Sequence, residues 1–206
     1  MESVNGWGLT LSPFLPPPRL GQLALPRGQG AQAFNKGNYP EALNFFQSAL
    51  KPPASLGMDD FELQSAPRIY YYIGRTYDAM GKKQEAEQAY KDSVRGVEQL
   101  TGRGSDSWSP ENFFMMFSLD RRGRHKEAAA MVKQFQTVAE SRHESTDPMY
   151  RARSYYLQAL VDEYNGNTDE AHKLMAQAVQ IEPDYIGPRF ELRGDAIDPT
   201  KDTASR

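Results

Sequence analysis

Polar and apolar positions along the chain fall into helical registers that glycine interrupts at regular intervals. Before Gly81, the residues Tyr70, Ile73, Gly74 and Tyr77 stand at i, i+3, i+4 and i+7, the stripe of an amphipathic helix. Glycine follows where that helix must stop, because it takes the left-handed C′ conformation without a Cβ penalty. A second register opens two or three residues later, with Ala86, Tyr90 and Ser93 on its inner face. The phrase Gly-x-x-x-Glu-Ala is written four times, from Gly37 to Glu41-Ala42, Gly81 to Glu85-Ala86, Gly123 to Glu127-Ala128 and Gly166 to Glu170-Ala171. The alanines recur every 42 to 44 residues. Helix, glycine turn and helix at a constant period predict an all-α protein, an α-solenoid of about four antiparallel hairpins.

The registers place helices at 28–36, 40–50, 67–80, 83–100, 110–122, 126–142, 149–165 and 169–181, with a short capping helix over 184–193. Pro40 suits a first helical turn, where no amide donor is needed, and Thr168 reads as an N-cap. Ser109-Pro110-Glu111 and Asp147-Pro148 each read as a cap followed by an N1 proline. Small residues spaced seven apart let paired helices approach closely: Ala42 and Ala49 around Phe46, Ala86 and Ser93 around Tyr90, Ala171 and Ala178 around Met175. The third copy departs from this, with Ala128, Val132 and Phe135, and with Met116 where the second has Gly74 and the fourth Ala159. Its hairpin is expected to pack more loosely or rotated. The first copy retains little of the first-helix pattern. Residues 1–26, with Pro16-Pro17-Pro18 and a strand-like alternation of Trp7, Leu9 and Leu11, read as an extended linker or the truncated edge of an upstream region. Residues 27–193 form the repeat domain and 194–206 a flexible tail.

These residues resemble the tetratricopeptide repeat. Tyr70, Ile73, Gly74, Tyr77, Gly81, Ala86, Tyr90 and Ser93 follow that family's pattern nearly in full, and Tyr155, Ala159, Gly166, Ala171, Ala178 and Pro183 follow it well. The resemblance covers about residues 30–193 and implies a right-handed superhelix. A narrower one lies in Pro53-Ala54-Ser55-Leu56-Gly57, similar to a Pro-x-x-Leu-Gly segment of large bacterial proteins with an N-terminal β-rich domain of uncharacterised function followed by such hairpins.

Ten residues before their glycines stand Tyr71, Phe113 and Tyr156. The resemblance implies that the first helices line a concave surface, where these rings would form a ladder. Arg68, Arg75, Asp78, Phe117, Asp120, Arg121, Arg153, Leu160 and Tyr164 would surround it. Tyr and Arg dominate binding hot spots; alternatively, the rings pack between neighbouring hairpins. The Lys/Asn clamp with which some of these domains hold a terminal carboxylate is absent, its positions reading Arg68, Tyr71 and Arg75, although arginine can grip a carboxylate bidentately.

Composition narrows the chemistry. The 206 residues are 39% hydrophobic and 25% charged, enough apolar surface to fold, and the net charge of −3 lacks the basic footprint of a nucleic-acid binder. The cations of Arg121-Arg122-Gly123-Arg124-His125-Lys126 fit a solvated turn beside a helix C-terminus. The chain has no cysteine, hence neither disulfides nor thiolate metal sites. Asp59, Asp60 and Glu62 have no histidine, lysine or metal-ligand motif at a useful spacing. His125, His143 and His172 form no His-x-x-x-His pair, and Gly102-Arg103-Gly104-Ser105 is not a complete phosphate loop. No apolar run spans a membrane and no signal peptide opens the chain. The sequence therefore predicts a non-enzymatic scaffold without cofactor or metal, cytoplasmic by default. It would bind a protein, a peptide or its own upstream domain, and neither nucleic acid nor membrane. The alternative is a C-terminal accessory segment of a larger bacterial carbohydrate-active enzyme whose catalytic β-domain lies upstream.

Overall fold

The structure, a computed structural model, describes residues 21–50, 61–95, 108–193 and 196–197. Among them the chain forms α1 (Gly21–Asn35), α2 (Tyr39–Ala49), α3 (Phe61–Ala79), α4 (Lys83–Ser93), α5 (Pro110–Arg121), α6 (His125–Arg142), α7 (Pro148–Tyr164), α8 (Thr168–Ile181) and α9 (Ile186–Leu192). Pairs α1/α2, α3/α4, α5/α6 and α7/α8 are antiparallel hairpins. Their turns fall at Gly37, Gly81, Gly123 and Gly166, whose φ values are 78°, 73°, 74° and 82°. Each turn closes in the same way: the Gly81 amide donates to Asp78 O at 2.9 Å and the Lys82 amide reaches back to Tyr77 O at 2.9 Å. Those two bonds satisfy carbonyls that the end of α3 would leave without partners.

Helix starts follow the caps expected at two hairpins. Asp147 accepts from the amides of Met149 at 2.8 Å and Tyr150 at 3.1 Å, and Ser109 Oγ accepts from the Asn112 amide at 3.3 Å. Thr168 is not an N-cap; it is the first residue of α8, capped by Asn167 without a side-chain bond. Two helices begin upstream of their expected starts. The helix expected from 28 begins at Gly21 and that expected from 67 at Phe61, with Pro26 and Pro67 inside them. Proline marks a favoured first turn, but near a helix start it removes only one bond and does not forbid a further turn upstream. The stretch expected to be extended through residue 26 is thus helical from Gly21. Conversely α4 ends at Ser93, with Val94 as C-cap, rather than continuing to 100.

Close packing follows the small residues. A Cβ on Gly74 would stand under 3.0 Å from three atoms of the Tyr90 ring, so glycine lets that ring lie against the α3 backbone. Gly30 does the same for Phe46, so the first hairpin keeps a close-approach site although little of the first-helix pattern remains. Ala159 and Met175 are fully buried in the fourth. The third hairpin is the looser one, as Met116 and Phe135 require: α5 and α6 approach each other along less of their length than the other pairs.

First helices pack on one another in order, α1 on α3, α3 on α5 and α5 on α7, while second helices pack mainly on first helices. The array therefore curves with α1, α3, α5 and α7 inside. Buried hydroxyls stitch the helices together: within the second hairpin Ser93 Oγ donates to Pro67 O at 2.8 Å, and between successive hairpins Ser118 Oγ donates to Ser93 Oγ at 2.7 Å and Ser154 Oγ donates to Ala139 O at 2.7 Å. Helix α9 packs on α8 and also touches α1. Ala196 and Ile197, within the stretch expected to be a flexible tail, are buried, and Asn35 Nδ2 donates to Ala196 O at 3.1 Å. The proline run and strand-like start at 1–20, the Pro-x-x-Leu-Gly segment, Asp59 and Asp60, the Gly102–Ser105 stretch and residues 198–206 lie outside the described residues.

Candidate functional site: a buried arginine and aromatic centre on the inner face

Five helices meet around the guanidinium of Arg68. It projects from α3 with its side chain only 1% exposed, and its Cζ lies 4.2 Å from the centre of the Phe114 ring of α5 and 5.7 Å from that of Tyr156 on α7. A buried cation needs both neutralisation and hydrogen bonds. Arg68 Nη2 donates to Tyr156 Oη at 2.6 Å, and Tyr156 Oη in turn donates to Glu191 Oε1 of α9 at 3.1 Å. Arg68 Nη1 reaches the same Glu191 oxygen at 3.4 Å. Glu111 Oε2, at the start of α5, lies 3.1 Å from Arg68 Nε, an ion pair without the alignment of a hydrogen bond. Arg27 of α1 completes the centre, 3.3 Å from Glu111.

Burial and charge act in opposition here. Desolvation disfavours the Arg68 cation, but Glu111, the buried phenols and Glu191 outweigh it and hold the guanidinium firmly protonated. Burial raises the Tyr156 phenol well above its usual range, with Arg68 only partly offsetting it, so the hydroxyl stays a donor. Burial also raises the Glu191 carboxyl, against the opposing pull of Arg68 and the Tyr156 hydrogen bond.

The residues expected to line the groove divide into three groups. Tyr71, Phe113 and Phe117 pack as rings, with centroids 5.7 Å apart for Tyr71–Phe117 and 5.5 Å for Phe113–Phe117; Tyr164 joins them 5.8 Å from Phe117. Arg75 is buried beside them and donates to Tyr71 Oη at 3.0 Å, and Leu160 is buried too. Tyr156 belongs instead to the Arg68 centre, where Tyr185 meets it edge-on at 5.6 Å. At the margin, Asp78 is half-buried and accepts from Tyr90 Oη at 2.6 Å, Arg121 is half-buried, and Arg153 is exposed. Tyr71, Phe113 and Tyr156 are each 0% exposed, so the partial exposure that a ladder of open binding rings requires is not found. Sequence reasoning missed Arg27, Glu111 and Glu191 as members of the centre. Glu111 had been read only as part of a helix start. A signal was present: an arginine in the inward register of α3 demands carboxylates from other helices.

The described residues hold no group of three or more His, Asp or Glu side chains suited to a metal, and no described helix is long and apolar enough to cross a membrane. What the centre does within the chain is join helices: a paired cation, tilted and edge-on rings, and a phenol that both accepts and donates. The helical hairpins and their curvature define an α-solenoid of repeats. The tetratricopeptide repeat model matches residues 67–95 and 152–185, so the second and fourth hairpins are tetratricopeptide repeats. No curated protein matches the chain. Such repeats support a role as a protein–protein interaction scaffold and are typically non-catalytic.

Proposed function

We propose that this protein is a non-catalytic scaffold that binds another protein or a peptide through the inner face of its solenoid, with Arg68, Tyr71, Arg75, Asp78, Phe113, Phe117, Arg121, Arg153, Tyr156, Leu160 and Tyr164 as the groove. The convergence of three first helices and α9 on the buried Arg68 carries this reading, because a costly buried cation is retained where recognition needs a fixed charge. With the rings covered, a partner meets the margin first, at Arg153, Arg121 and Asp78. The test places a photocrosslinking side chain at Arg153 on α7 and, separately, at Lys133, exposed on the second helix α6. A partner captured from position 153 and lost in the Arg121→Glu variant is the expected result. Equal capture from both positions overturns inner-face binding. The alternative role, as an accessory segment of a carbohydrate-active enzyme, rests on the Pro-x-x-Leu-Gly segment and the strand-like start. A continuous upstream reading frame encoding a β-rich domain would favour it.

A further inference from the structure

The Arg68 centre is completed by the chain's own last helix. We infer that α9 is a ligand held in cis by the inner face, and that the partner of this face is a helical peptide segment with the same recognition chemistry: a carboxylate one helical turn after a glycine. This deepens the scaffold reading and rests on it.

Three observations carry it. Gly187 is buried where a Cβ would stand 2.6 Å from Tyr156 Cε1, so only a residue without a side chain seats the helix against that ring. Four residues on, Glu191 brings its 7%-exposed carboxylate to Arg68 and Tyr156, supplying a charge that nothing else on α9 provides. An apolar helix placed there instead would leave Arg68 with only Glu111, which lies at the edge of the centre and is shared with Arg27. The centre thus discriminates against a helix that brings no acceptor to the guanidinium and the phenol, through the cost of a buried cation short of partners.

The hold on α9 is also of a kind that can be released. It has seven residues, too few for a helix to persist alone, so it is helical because it is docked. Arg189 bonds locally, to Pro183 O at 2.8 Å, and Leu192 is 40% exposed. Tethering through Glu182–Tyr185 gives the cis segment a high effective concentration, so a partner in trans binds only as the fraction of open chain permits.

The experiment uses the full chain and a labelled synthetic peptide of residues 184–197, read by fluorescence anisotropy. In the unmodified chain the site is occupied and the peptide binds weakly. In the Gly187→Leu variant α9 cannot seat, and the peptide should bind about tenfold or more tighter. The same peptide carrying Glu191→Leu, which brings no acceptor to Arg68 and Tyr156, should lose about tenfold in affinity for that variant. Hydrogen exchange on the unmodified chain is the second measurement: amides of α9 should exchange at least about tenfold faster than those at the centre of α7, through local opening. Absence of peptide binding to a helical Gly187→Leu variant overturns the inference, as does indifference to the Glu191→Leu change in the peptide. Global unfolding of that variant, or α9 exchanging only with the whole molecule, would make α9 an integral strut and overturn it as well. Any of these failures leaves the crosslinking test at Arg153 standing, since a partner can use the margin without displacing α9.

Discussion

At the scale of single residues, two glycines that look alike in sequence are needed for opposite reasons. Gly74 sits in ordinary helix and is required by the Tyr90 ring, whereas Gly81 has open space around it but a φ of 73°. Gly74→Ala should cost about 1–3 kcal/mol through overpacking, and Gly81→Ala about 1–2 kcal/mol through backbone conformation. Urea melts separate the causes, because Gly81→Asn should recover much of the loss while Gly74→Asn should worsen it. Gly30 shows how much of this was legible. It stands seven residues before Gly37, as Gly74 stands before Gly81, so counting back from the turn finds it even where the aromatic pattern of the first helix has faded. Glu191 poses a different problem. Its role depends on residues 35 and 123 positions away in the chain, and no local period encodes that. Burial raises its folded-state pKa, so the stability it contributes is fully present below the ordinary carboxyl range and is lost as pH rises through the raised value. Glu191→Gln cannot titrate. Its melting temperature should therefore improve relative to the parent as pH is raised from 4.5 to 7. A constant difference would mean that the carboxyl is not shifted by its surroundings.

Elements were legible where one local rule decides them. Four turns, the Asp147 and Ser109 caps and the looser third hairpin follow directly from glycine, N-cap and volume arguments. The starts of α1 and α3 were not, because a proline near a helix start is compatible with both a first turn and a second. Between elements, the hydroxyl relay of Ser93 and Ser118 makes an asymmetric prediction. Ser93 uses its proton on Pro67 O and accepts from Ser118, joining α3, α4 and α5. Removing Ser93 loses both bonds of the relay, so Ser93→Ala should cost about 1–3 kcal/mol. Ser118→Ala keeps the Ser93–Pro67 bond and should cost less. Equal losses in thermal melts would mean that the relay does not bridge the helices in this order.

For the whole molecule, the open question is whether the array behaves as a line or as a closed body. An open solenoid couples each repeat only to its neighbours, and damage in one hairpin spreads no further than the next. Here Arg68 of the second hairpin reaches α5, α7 and α9, and Arg27 of α1 pairs with Glu111 of α5, so the inner face ties the first hairpin to the last. The period in the sequence announced a line; the closure comes from side chains at a shared centre, which periodicity cannot express. Arg68→Ala tests it. Breaking a buried pair by removing one partner costs about 3–5 kcal/mol, and the consequence of interest is where that loss is felt. Closure predicts that hydrogen-exchange protection falls in α1, α7 and α9 together with α3, and that melting remains one cooperative transition at a lower temperature. Loss confined to α2, α3 and α4, with α7 and α8 protected as before, would make the molecule a simple line of hairpins. The inner face would then be a surface that α9 merely touches.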